Sequence, residues 1–161
     1  MRRKIFEKIL KYSFKDVGRK RQLRNFLLRD IFFNTLEELS LRFGVNITTV
    51  YDIGANKGEW AAEASKYLSS SEFYLFEANS THIKSLERSG FDFFITALSN
   101  KVGSREFFST GGTGDSFYKE LTHHYQNVEA RVVETNTLNN LVRSKGLKIP
   151  PVSYTHLRAH E

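Results

Sequence analysis

Val50-Tyr51-Asp52-Ile53-Gly54-Ala55-Asn56-Lys57-Gly58-Glu59-Trp60 is the stretch whose reading decides the fold. It starts as a strand: Ile47, Val50, Tyr51 and Ile53 are apolar, and Thr48 and Thr49 are β-branched. It turns through Gly54 and Gly58, and helix formers follow from Glu59 to Lys66. A strand, a glycine turn and a helix start in that order build a cradle for an anion or a cofactor. The glycines admit dihedrals and close approach that a side chain forbids, and Asn56 is among the few other residues that tolerate a left-handed backbone. Asp52 precedes the turn, where a sheet presents groups to a ligand beyond its strand ends.

The next apolar run, Phe73-Tyr74-Leu75-Phe76, closes on Glu77, 19 residues after Gly58. In doubly wound folds an acid at the end of the second strand accepts hydrogen bonds from ribose hydroxyls. The dinucleotide fingerprint requires glycine at the first, third and sixth positions of the turn. Counted from Gly54, this chain has glycine, Asn56 and Glu59, so two of the three are replaced. A ribose-containing cofactor other than a dinucleotide therefore fits better.

Asp52-x-Gly54-Ala55-Asn56-x-Gly58, followed by Phe76-Glu77-Ala78-Asn79, resembles the S-adenosylmethionine site of class I methyltransferases. More narrowly it resembles the FkbM-type family, whose members read D-x-G-A-N-x-G, then F-E-P-N, then A-L-S. Ala97-Leu98-Ser99 supplies the third motif, and Ala78 stands where the family has proline. The resemblance covers roughly residues 45–150. It implies a Rossmann-like α/β fold, S-adenosyl-L-methionine as cofactor, and O-methylation of a sugar, glycan or secondary-metabolite hydroxyl. Carried over residue by residue, it implies that Gly54, Ala55, Asn56 and Gly58 shape the turn under the methionine part. Asp52 would orient that turn and place negative charge near the cationic cofactor. Glu77 would hold the ribose hydroxyls, and Ala78, Ala97, Leu98 and Ser99 would border the adenine. Ser116 is a weaker candidate on the substrate side, and no residue is assigned as general base.

Length and composition suit one domain able to bury a core, since 40% of the 161 residues are hydrophobic and 14% aromatic. There is no cysteine, which excludes disulfides, thiolate metal sites and a cysteine nucleophile. No apolar run approaches the ~18 residues of a membrane span, and no apolar stretch follows the first charges as in a signal peptide. A cytoplasmic location is the expectation. His123-His124 lacks metal-ligand spacing around it, so no metal site is predicted.

The net charge of +6 is concentrated at one end: residues 1–30 hold eleven Lys or Arg against three acids, a net +8, and the remaining 131 residues carry −2. Solvated basic faces of amphipathic helices account for this, with peripheral contact to an anionic surface as the sharper alternative. Nucleic acid is the weakest partner class, because no binding motif accompanies the charge. Residues 1–44 are predicted to form a helical extension, with Asn34 and Glu37 at capping-box spacing and Gly44 as a stop.

Within residues 45–150 the expected order is βαβαβ with parallel strands and right-handed crossovers. Helices are predicted over Glu59 to Leu68 and Thr81 to Ser89, the latter capped by Ser80 and ended by Gly90, with Trp60 in the core. A third strand is predicted over Phe91 to Leu98, and further strands over Arg105 to Thr110 and Val128 to Thr135. A short helix carries Leu138, Leu141 and Val142. Gly111-Gly112-Thr113-Gly114 is either a substrate-side loop or a plain surface loop. Residues 151–161 show no strand pattern and no acid where the resembled family has one. They resemble a junction or adapter-derived tail, in which His156 and His160 are accidental. The expectation is a methyltransferase domain incomplete at its C-terminal part and inactive as it stands. Two alternatives stay open: a non-catalytic cofactor-binding fragment and, more remotely, a dinucleotide-binding oxidoreductase.

Overall fold

The computed structural model describes residues 46–109, 115–119 and 128–150, the backbone of 152–155, and Glu38 and Gly44 alone before them. The helices expected in the first 44 residues, the Gly111–Gly114 cluster, His123-His124, His156 and His160 lie outside the described residues. The fold described here belongs to the compact unit Asn46–Glu161. Its elements in order are β1 (Thr49–Ile53), α1 (Glu59–Ala64), β2 (Glu72–Glu77), a short 3-10 turn (Ser80–His82), α2 (Ile83–Ser89), β3 (Asp92–Ile95), β4 (Ala97–Leu98), β5 (Gly103–Phe108), β6 (Ala130–Asn136), α3 (Leu138–Lys145) and β7 (Val152–Thr155).

Four strands form a parallel sheet in the order β3-β2-β1-β7. The predicted βαβαβ succession of parallel strands is therefore present. All five residues of β1 are buried, as a strand covered on both faces requires. Alternation sends Tyr51 and Ile53 to one face, where they pack with Phe76, Leu141 and Leu147. Phe76 stacks on Phe94 at 5.3 Å between ring centroids, and the Tyr51 hydroxyl donates to the Lys148 carbonyl at 2.8 Å. Val50 and Asp52 point to the other face with Leu75, which α1 and α2 cover through Gly58 and Leu86. A second, three-stranded sheet has the order β4-β6-β5, with β4 parallel and β5 antiparallel to β6.

Chain order places β2 and β3 on one side of β1 and β7 on the other. The direction of winding reverses between β1 and β7, and in open α/β sheets ligands bind outside the carboxyl ends of the strands at such a point. The Gly54–Gly58 turn leaves β1 there.

Several sequence expectations need correction. Residues 152–155, read as a tail without strand pattern, form β7 and pair with Val50–Ile53 of β1. The strand formers Val152, Tyr154 and Thr155 suffice where β1 supplies a complete ladder, so no long apolar run is required. The single strand expected over Phe91 to Leu98 breaks at Thr96, whose N–H goes to the Glu77 carbonyl at 2.8 Å; β3 stays in the parallel sheet while β4 leaves to pair with β6. Helix α1 ends at Ala64 and not Leu68, because the chain tightens into i→i+3 bonds from Lys66 and Tyr67 and the Ser65 hydroxyl takes the Ala62 carbonyl. Trp60 is half-exposed and not core. Asn79, one residue before the expected Ser80, is the cap after β2: its side chain accepts the Thr81 N–H at 3.1 Å.

Among the described residues no helix is long and apolar enough to cross a membrane.

Candidate functional site

The turn after β1 holds three left-handed residues, Gly54 (φ 81°), Asn56 (φ 51°) and Gly58 (φ 79°). Four of its five backbone donors are used inside the protein. Gly54 and Ala55 N–H both donate to the Phe76 carbonyl, at 2.9 and 3.1 Å. Gly58 N–H donates to the Ala55 carbonyl at 2.7 Å, and Asn56 N–H to Glu77 Oε2 at 2.7 Å. A phosphate cradle works by leaving successive N–H groups free for the anion. This turn instead closes on the end of β2.

Glu77 is the closing group. It is buried at 7% exposure, and its other oxygen, Oε1, accepts the Asn79 N–H at 2.7 Å. Each oxygen thus takes one backbone donor, and an ionised carboxylate has about four acceptor sites in all. About two of its acceptor sites remain beyond these bonds.

Asp52 is fully buried on the same face of the sheet, near the start of α1. Its pKa is raised from 3.8 to about 7, chiefly by burial and further by the Glu77 charge, with the nearby Ala61 N–H pulling the other way. The strand ends therefore carry two carboxylates close enough to feel each other, and near neutral pH Asp52 is partly protonated.

This arrangement makes stability depend on pH. With a folded pKa above the unfolded one, the folded state binds the extra proton between pH 3.8 and about 7. Stability then falls as pH rises through that window, by on the order of 2–4 kcal/mol. Asp52→Asn keeps the shape of the side chain and removes the charge. Urea unfolding at a series of pH values is expected to show the variant gaining on the parent from pH 4 to pH 8. A constant difference across that range would refute the assignment.

Asn79 anchors a second cluster at the end of β2. It is fully buried. Its Nδ2 donates to Asp115 Oδ2 at 2.6 Å and Ser109 Oγ at 3.0 Å, and Ser109 Oγ also donates to Asp115 Oδ2 at 2.9 Å. Its Oδ1 accepts from Arg131 Nη2 and from the Thr81 hydroxyl, both at 2.8 Å. The Arg131 guanidinium lies 5.4 Å from the centroid of the Phe107 ring.

The structure brings Asp52, Gly54, Ala55, Asn56, Gly58 and Glu77 together at the ends of β1 and β2. Ala78 is half-buried beside Glu77, and Ala97 is buried at the start of β4, held near by the Thr96–Glu77 bond. Leu98 packs against the Tyr51–Phe76 core, and Ser99 N–H donates to the Asn136 carbonyl at 2.9 Å. Ser116 pairs with Phe108 through both backbone groups, and its hydroxyl accepts the Tyr118 N–H at 3.1 Å. From that segment it is Asp115, and not Ser116, that reaches the cluster. Sequence reasoning missed Asn79, Ser109, Asp115 and Arg131 as site-bordering residues. Asn79 had a signal, the last position of Phe76-Glu77-Ala78-Asn79, whereas Arg131 is an ordinary alternating residue of a strand. No family model matches the chain, and neither a curated protein nor a solved structure does.

Proposed function

We propose that the chain is an S-adenosylmethionine-dependent methyltransferase of the FkbM type, acting on a hydroxyl of a sugar, glycan or secondary metabolite. The observation that carries the reading is the closure of the glycine turn on Phe76 and Glu77. It spends four of the turn's five N–H groups and leaves two carboxylates at the strand ends. That donor set suits a cationic, ribose-bearing ligand and disfavours the dinucleotide alternative. When bound, the cofactor supplies an electrophilic methyl on a sulfonium.

In this reading Glu77 accepts the ribose hydroxyls with its remaining lone pairs, and Asp52 contributes negative charge beneath the turn. Gly54 to Gly58 shape the turn under the methionine part, and Ala78, Ala97, Leu98 and Ser99 border the base. The protein's main contribution to an in-line transfer is alignment of the acceptor oxygen, which rigid strand ends favour. The general base is unassigned. Calorimetric titration of S-adenosylhomocysteine and of NAD against the chain tests the reading. Saturable binding of the first without the second is expected, and the reverse preference would overturn it.

The basic end of the chain carries a separate proposal, contact with an anionic surface. Deleting residues 1–30 removes a net +8 and leaves −2. Retention on phosphatidylserine vesicles is expected to fall, most at low salt, because the Debye length is only ~8 Å at physiological ionic strength. Equal retention of both chains at low salt would leave the basic faces as merely solvated.

A further inference from the structure

We propose that Arg131 is a positioning residue for the Glu77 carboxylate, acting through Asn79. The inference rests on the cofactor reading of Glu77 above. Arg131 lies on β6, outside the parallel sheet, and its Nη2 donates to Asn79 Oδ1 at 2.8 Å. The backbone N–H of the same Asn79 donates to Glu77 Oε1 at 2.7 Å, and Glu77 Oε2 holds Asn56 in the turn. Three hydrogen bonds thus join a strand of the second sheet to the centre of the glycine turn.

Asn79 is suited to transmit this restraint because it has no freedom left. Nδ2 donates to Ser109 and Asp115, and Oδ1 receives Arg131 together with the Thr81 N–H and hydroxyl. A side chain held at both ends cannot rotate without breaking several bonds, so its backbone N–H is aimed at one place. Arg131 also has a buried Nε that finds no acceptor among the described residues. A buried donor left unmade is destabilising. An arginine kept on those terms is poorly explained as a mere stability clip, and is better explained by what its other nitrogen holds.

The test uses the full chain with Arg131→Met and Arg131→Lys. Amide hydrogen exchange of Asn56 and Asn79 is followed without ligand, and affinities for adenosine and 2′,3′-dideoxyadenosine are measured by calorimetry. Arg131→Met is expected to speed exchange at Asn56 and Asn79 about tenfold while Tyr51, in mid-strand, is unchanged. Adenosine affinity is expected to fall about tenfold and dideoxyadenosine affinity much less, since only the former has ribose hydroxyls for Glu77. Arg131→Lys restores part of both effects. In a Glu77→Gln background Arg131→Met should add no further loss, the signature of two residues acting in series. Uniformly faster exchange across β1 and β2 would mark a merely structural role and overturn the proposal. So would adenosine and dideoxyadenosine affinities that fall together in a parent able to bind both. Failure of the parent to bind either adenosine or S-adenosylhomocysteine would instead bring down the cofactor reading, and this inference with it.

Discussion

Gly58→Val is expected to destabilise the fold by roughly 2–5 kcal/mol, from backbone strain and overpacking together. Gly58 caps α1 at φ 79°, a left-handed conformation in which a β-branched residue is a genuine outlier. Space is short as well: a Cβ on Gly58 would sit 3.2 Å from Leu75 Cδ2, and 3.5 Å from both Leu86 Cδ2 and Ser89 Cβ. Leu75 and Leu86 are both fully buried, so neither can swing away without opening the core between β2 and α2. Valine adds two methyl groups beyond that Cβ. Set against a typical stability of about 5–15 kcal/mol, the loss is large. Gly58→Ala should show the strain with less of the overpacking, and fall between parent and valine. Urea unfolding measures all three, and a valine variant with the parent's midpoint would show that the turn can relax.

The same residue shows what was legible in the sequence. Gly58 and Gly54 announced themselves because few other residues enter the left-handed region, and the apolar runs on either side fixed β1 and β2. Glu77 was legible for a similar reason, since a charge ending an apolar run must lie at a strand end. The second sheet was much less so. Ala97-Leu98 continues the apolar pattern of Phe93 to Ile95, and only the competition between β2 and β6 for its backbone decides that it leaves the parallel sheet. That competition is between partners far apart in the chain, which periodicity does not report. β7 was misjudged because a short run such as Val152 to Thr155 takes much of its order from its neighbour's ladder. Asp115 and Arg131 were invisible for the same physical reason: they are 36 and 52 residues from the Asn79 they bond, and nothing local marks them.

Glu77→Gln is expected to weaken both S-adenosylhomocysteine binding and the fold. Glutamine keeps the shape but offers one oxygen acceptor and one NH2 donor. It cannot accept from Asn56 and Asn79 N–H with both ends, as the carboxylate does. One of these amides is left facing a donor, and the ribose contact loses its charge assistance. Each charge-assisted bond contributes about 1.5–3 kcal/mol, so the weakened ligand contact lowers affinity by roughly 10–10²-fold, while the bond lost within the turn costs the fold a similar amount with or without ligand. A further consequence separates this from general damage. The Glu77 charge helps hold the Asp52 pKa near 7, so removing it lets Asp52 ionise at lower pH. The window in which stability falls with rising pH should therefore contract from its alkaline end. Calorimetry gives the affinity, and urea midpoints between pH 4 and pH 8 give the window. Parental affinity in a folded Glu77→Gln chain would remove Glu77 from the ribose contact, and an unchanged pH window would show that the two carboxylates do not sense each other.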